Sequence, residues 1–237
     1  MLEDIVPESI LFLDIETVPA YPTFADVPER FRPLWEHKAS FLLKPEQTAA
    51  DVYDRAGIFA EFGKIVCISA GYLLQQDGQR AFRVKSFYGD DERGLLEDFA
   101  RALVRFYRQH PRANLCAHNG REFDFPYIAR RMLINGLKLP PMLNTQGKKP
   151  WEVPFLDTME LWKFGDYKHF TSLSLMAALF DIPTPKDDID GSMVAEVYYR
   201  ERNLPRIAIY CEKDVLTVAR LFLKLRGDAA EIAEVNA

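Results

Sequence analysis

Asp14 and Glu16 stand two residues apart at the end of an apolar run, Ser9-Ile10-Leu11-Phe12-Leu13. On an extended strand that spacing puts both carboxylates on one face, in line with Ile10 and Phe12, with Ile15 on the other. Two like charges about 4 Å apart repel by about 4 kcal/mol at an effective dielectric near 20. Such a pair calls for a basic partner, a raised pKa or a bound cation. Taken alone, it reads equally well as a strand that ends and lets its acids reach water.

Two other places carry acids where chemistry is possible. Asp214 falls in the apolar stripe Ile207, Cys211, Val218, Leu221, Phe222 and Leu225, with Tyr210 four residues earlier on the same helix face. A core-facing carboxylate is costly unless paired or metal-bound. By itself Asp214 fits a structural ion pair, with Lys213 or an arginine, slightly better. In the middle of the chain, His118-Asn119-Gly120-Arg121-Glu122-Phe123-Asp124 reads as a turn leading into a helix. Asp124 then sits in a first helical turn, where the dipole favours an anion. An ordinary helix-start acid is the simpler alternative, and His118 at a strand end reads as structural.

These residues need elements to position them. Residues 9–16 read as a central strand, apolar on both faces. Residues 65–74 and 80–88 flank Asp77-Gly78 and read as a hairpin. Leu95, Leu96, Phe99, Leu103 and Phe106 mark a helix over 91–109 after an acidic opening. A short strand is expected at 113–117, a helix over Arg121–Asn135 stopped by Gly136, a loop over 138–154 and a last strand at 155–157. Helices follow at about 158–163, 172–180, 191–203 and 205–226. Strands first and helices later predict an α/β fold, a mixed central sheet flanked by helices, as one domain over 1–237. Residues 19–61 contain Pro19, Pro22, Pro28, Pro33 and Pro45 and read as an irregular insertion with short helices, acting as a lid or a partner surface.

In combination the three acidic motifs resemble the DEDD 3′–5′ exonucleases of the ribonuclease H-like superfamily, and most closely the proofreading exonuclease domain of family B DNA polymerases. The motifs are Asp14-Ile15-Glu16-Thr17, then Asn119-Gly120-Arg121-Glu122-Phe123-Asp124, then Tyr210-Cys211-Glu212-Lys213-Asp214. They span the chain from residue 10 to about 226. The histidine branch of these enzymes would place histidine where Ile209 stands; tyrosine at 210 is similar to the tyrosine branch. The resemblance implies two divalent cations, Mg²⁺ or Mn²⁺, held by Asp14, Glu16, Asp124 and Asp214, a donor set of hard oxygens that suits those ions. It implies that Asp14 serves both ions, Glu16 and Asp214 the one that generates the nucleophile, and Asp124 the other through water. Tyr210 is implied to orient the attacking water, Thr17 and Asn119 to contact the terminal nucleotide, and Phe123 to pack beside it. The implied partner is a nucleic-acid 3′ end, single-stranded DNA first.

Composition sets the outer limits. The chain has 237 residues, with 30 basic and 35 acidic side chains and a net charge of −5. That balance argues against a protein that coats nucleic acid by bulk charge, though not against one gripping a single strand end. No apolar run has the roughly 18 residues of a membrane span, and the start is not secretory in type. Cys67, Cys116 and Cys211 read as buried free thiols, which with the rest predicts a cytoplasmic protein and no membrane partner.

No polymerase segment follows the third motif, so action alone or with a polymerase or repair partner in trans is expected. Rival readings are an exoribonuclease or oligonucleotide-degrading enzyme of the same fold, and a binding module with an inactive site. Lys148-Lys149 beside Trp151 reads as a solvated loop. Lys163, Lys168, His169, Thr171 and Ser172 form a phosphate site or, equally, an ordinary helix start. Asp187-Asp188-Ile189-Asp190-Gly191 reads as a polar turn.

Overall fold

The computed structural model of the chain describes residues 2–166, 170–183, 189–229 and 231–234. Strands β1 (Ile10–Pro19), β2 (Gly63–Gln76), β3 (Gln79–Tyr88), β4 (Asn114–Ala117), β5 (Leu156–Asp157) and β6 (Ala233–Glu234) form one sheet in the order β5-β4-β1-β2-β3-β6. β2 runs antiparallel to both β1 and β3, while β4 pairs parallel with β1, β5 with β4 and β6 with β3. The sheet is mixed, as expected. The β2–β3 hairpin turns on Asp77 (φ 51°) and Gly78 (φ 76°). Two left-handed residues are what a two-residue hairpin demands.

β1 is central and buried on both faces. Leu11, Leu13 and Ile15 pack against helices α2 (Glu92–Gln109) and α3 (Asp124–Ile134). Ile10 and Phe12 pack against Val215, Val218 and Phe222 of the long helix α7 (Leu204–Arg226). Three shorter helices fill in the second half: α4 (Thr158–Lys163), α5 (Leu173–Leu179) and α6 (Val194–Glu196), the last running into a π turn over Val197–Glu201. No helix among the described residues is long and apolar enough to cross a membrane.

Three expectations change. α3 begins at Asp124 rather than at 121, because Asn119 adopts φ 61° and residues 119–123 fold into a turn. The helix expected over 191–203 is shorter and widens into the π turn, which ends on left-handed Arg202 (φ 56°). The 19–61 stretch is short helices, as read, including α1 (Arg32–Ala39), but it carries its own core. Val27, Trp35, Ala39, Val52, Tyr53 and Ala56 pack together, and the Trp35 indole donates to the Ala49 carbonyl at 2.8 Å.

This segment docks on the end of β1. A Cβ on Gly57 would lie 3.0 Å from the Val18 carbonyl carbon, so glycine lets the two backbones meet there without either giving way. The Tyr127 hydroxyl of α3 donates to the Gly57 carbonyl at 2.8 Å and ties the segment to the far side of the same strand end.

Candidate active site

The α7 face of β1 carries Asp14 and Glu16 where the strand passes beyond its neighbour β4. β4 pairs with β1 only as far as Phe12, so the β1 edge is open at Ile15. Asp124 fills that opening: its Oδ1 accepts the Ile15 backbone N–H at 3.2 Å. The first residue of α3 is thereby brought against the acidic end of β1. From the other side, α7 presents Cys211 and Asp214. The Cys211 thiol lies 3.4 Å from both the Asp14 carbonyl and its Oδ2 and donates to them. Candidate ligand atoms of Asp14, Glu16 and Cys211 lie within 4.8 Å of one another.

Asp124 and Asp214 act electrostatically on this group. Burial pushes the Asp14 carboxyl well above its usual range, and the charges of Asp124, Glu16 and Asp214 push it further, against the Cys211 hydrogen bond. Glu16, only 7% exposed, is raised by burial and then by Asp214, Cys67 and Asp124. Asp124, 3% exposed, is raised to about 7, first by burial and then by Asp157, with the Ile15 N–H pulling the other way. The Tyr210 hydroxyl donates to Asp214 and is held far above its ordinary pKa by burial and by the charges of Asp214, Glu16 and Asp14. Asp14 and Glu16, buried and raised by the carboxylates of two helices, form a centre that a cation would stabilise. The hard oxygen donors fit a divalent ion such as Mg²⁺ or Mn²⁺.

The other expected residues flank this cluster. Thr17 is half-buried and its hydroxyl bonds the Tyr127 phenol. The Phe123 ring stacks 5.3 Å from the Tyr127 ring, so Thr17 and Phe123 meet through Tyr127. Asn119 is half-buried, and its side-chain Oδ1 is buried with no hydrogen-bond partner among the described residues. His118 is structural, as read: its ring nitrogens bond Thr158 Oγ1 at 2.9 Å and the Thr171 carbonyl at 2.8 Å, and burial lowers its pKa. Ser172 caps α5 by accepting the Leu175 N–H. Lys148 and Lys149 are exposed, with the Lys149 ammonium 5.3 Å over the Trp151 ring. Lys168 and His169, and Asp187 and Asp188, lie outside the described residues.

Two contributors were not visible as such in the sequence. Cys211 was read only as core; its place three residues before Asp214 on the same helix face was the available signal. Asp157 was read only as the end of a short strand, yet it is 2% exposed and acts on Asp124.

The fold defines the class, an α/β protein with a ribonuclease H-like mixed sheet, and an acidic cluster sits on its central strand. Residues 58–236 match a family model described as a predicted 3′-5′ exonuclease related to the exonuclease domain of PolB, and the chain belongs to that family. The matched span includes Asn119–Asp124 and Tyr210–Asp214 and begins after Asp14 and Glu16. Among solved structures, the chain is similar to the family B DNA polymerase from the hyperthermophilic archaeon Pyrobaculum calidifontis, with 14% identity and a TM-score of 0.51. The similarity covers 90% of this chain and 24% of that one, so the chain spans about a quarter of the polymerase. At that identity the likeness speaks for the fold. No curated protein sequence matches the chain.

Proposed function

We propose that the chain is a two-metal 3′–5′ exonuclease acting on the 3′ end of single-stranded DNA, built as one domain with 19–61 as an insertion. The observation that supports this reading above all is the convergence of Asp14, Glu16, Asp124 and Asp214, with the Tyr210 hydroxyl on Asp214. Asp14 and Glu16 would hold the metals with Asp124 and Asp214. When bound, such ions supply a nucleophile from water at neutral pH and charge stabilisation at the leaving oxygen.

The chain's own groups do the positioning. Tyr210 keeps its proton at neutral pH and donates it to Asp214, so its oxygen is left to accept from the attacking water and orient it, and it does not act as a base. The unpartnered Oδ1 of Asn119 is an acceptor awaiting a donor, such as a sugar hydroxyl or a base N–H of the terminal nucleotide. Thr17 and Phe123, joined through Tyr127, would form the wall beside that nucleotide. The family's relation to the PolB exonuclease domain supports DNA as the substrate. Three buried free thiols suit a reducing, cytoplasmic setting.

The test is degradation of end-labelled DNA and RNA, single-stranded and recessed, with Mg²⁺ or Mn²⁺. Stepwise loss of nucleotides from DNA 3′ ends is expected. Faster loss from matched RNA would turn the assignment to an exoribonuclease. Binding without hydrolysis would turn it to an inactive module.

A further inference from the structure

The turn that carries Asn119 and delivers Asp124 is held from outside by one buried carboxylate. Oδ1 of Asp157 accepts the backbone N–H of Asn119 at 2.9 Å, and Oδ2 accepts that of Arg121 at 3.0 Å. The same Oδ1 also accepts from Met159 at 2.9 Å and from Glu160 at 3.3 Å, which caps α4. A helix cap needs only the last two. The first two cross to a segment 38 and 36 residues earlier in the chain. Thr158 reinforces the same junction by bonding His118 at 2.9 Å.

The turn needs such a hold. Asn119 sits at φ 61°, a left-handed conformation that asparagine tolerates better than most residues and that reverses the chain here. A Cβ on Gly120 would lie 2.4 Å from the Ala117 side chain, so the chain passes that point with no room to shift. After it, Gly120 accepts the Phe125 N–H at 3.0 Å, α3 begins, and Asp124 reaches Ile15.

We infer that Asp157 is a positioning residue of the exonuclease site, its two cross-chain arms setting the nucleotide-contacting Asn119 and the ligand Asp124. This rests on the exonuclease reading above. The Asn119 arm fixes the residue proposed above to contact the terminal nucleotide. The Arg121 arm fixes the path into α3 and so the placement of Asp124. Residues that support metal ligands from behind typically matter by about 10–100-fold in metal affinity or activity.

Two substitutions separate this role from helix capping. In Asp157→Asn the carboxamide oxygen can keep the three donors of Oδ1, while its NH₂ meets the Arg121 N–H, donor against donor. The expected result is a kcat lower by about 10–100-fold with KM little changed. In Asp157→Ser the hydroxyl still caps α4 but is too short for either arm, so kcat should fall and KM should rise as well. Both are read beside thermal unfolding and Mn²⁺ affinity measured by electron paramagnetic resonance, with the affinity expected to fall by about 10–100-fold. Folded variants with wild-type kcat, KM and Mn²⁺ affinity would reduce Asp157 to a helix cap. Should Asp157→Ser not fold, the isosteric Asp157→Asn decides. Should the wild-type protein release no nucleotides, the exonuclease reading fails, and unchanged Mn²⁺ affinity in the variants would separately overturn the positioning role.

Discussion

Burial and three neighbouring carboxylates keep the Tyr210 hydroxyl protonated, with Asp214 as its acceptor. A phenol so held can orient a water but cannot take its proton. Tyr210→Phe should therefore leave metal binding intact and lower the rate by about 10–100-fold, which single-turnover kinetics and Mn²⁺ titration would check together. The acids make a second prediction. Asp124 titrates at about 7 in the folded chain, against about 3.9 for an unfolded aspartate. The folded state thus binds more protons than the unfolded state between those values. The stability of metal-free protein must then fall as pH rises through that window. With metal chelated, melting temperature should fall from about pH 4 to about pH 7, less steeply in Asp124→Asn, and divalent metal should recover more of it at the higher pH. An equal pH slope in Asp124→Asn would contradict this. At this scale strand and helix periods gave Asp14, Glu16 and Asp214 their faces but left each ambiguous, and their order together with Asp124 and Tyr210 in three motifs singled them out. Asp157 was not, because its partners are backbone N–H groups that every residue offers.

Helix and strand placement turns those residues into one site. β1 outruns β4, leaving Ile15 open for Asp124, and α7 crosses the same strand with Cys211 and Asp214. Both long elements were readable from periodicity, as was the hairpin from Asp77-Gly78. The ion pair that locks α2, α3 and β2 together was not. Glu92 and Arg131 lie 39 residues apart, bond at 2.5 Å and 2.8 Å, and are each less than 10% exposed. Glu92 also accepts the Ile65 N–H at 2.8 Å, and Arg131 donates to the Ala60 carbonyl at 2.9 Å. Glu92→Ala would leave a buried guanidinium uncompensated and should cost about 3–5 kcal/mol in denaturant unfolding. A cost within the range of an exposed pair, below about 1 kcal/mol, would show the arginine finding other partners.

Across the whole molecule, the sheet and helix order was legible because apolar strands precede amphipathic helices. The 19–61 segment was read correctly as short helices but not as a packed unit, because its aromatic residues lack a helical or strand period. It closes around Trp35, which is fully buried, and reaches the site's edge through Gly57, Tyr127 and Thr17. Trp35→Ala should cost about 3–5 kcal/mol and lower exonuclease activity through the loosened Thr17–Tyr127 wall, seen as a raised KM. A destabilised variant with unchanged KM would separate the segment from substrate binding. The central claim is that Asp14, Glu16, Asp124 and Asp214 form one metal-dependent hydrolytic centre. Its most direct test is the rate of nucleotide release from a 5′-labelled single-stranded DNA with Mn²⁺, for wild type beside Asp14→Asn and Asp214→Asn, each shown by thermal unfolding to be folded. Release from the 3′ end by wild type, and none above background by either variant, is the predicted result; wild-type rates in a folded variant would contradict it.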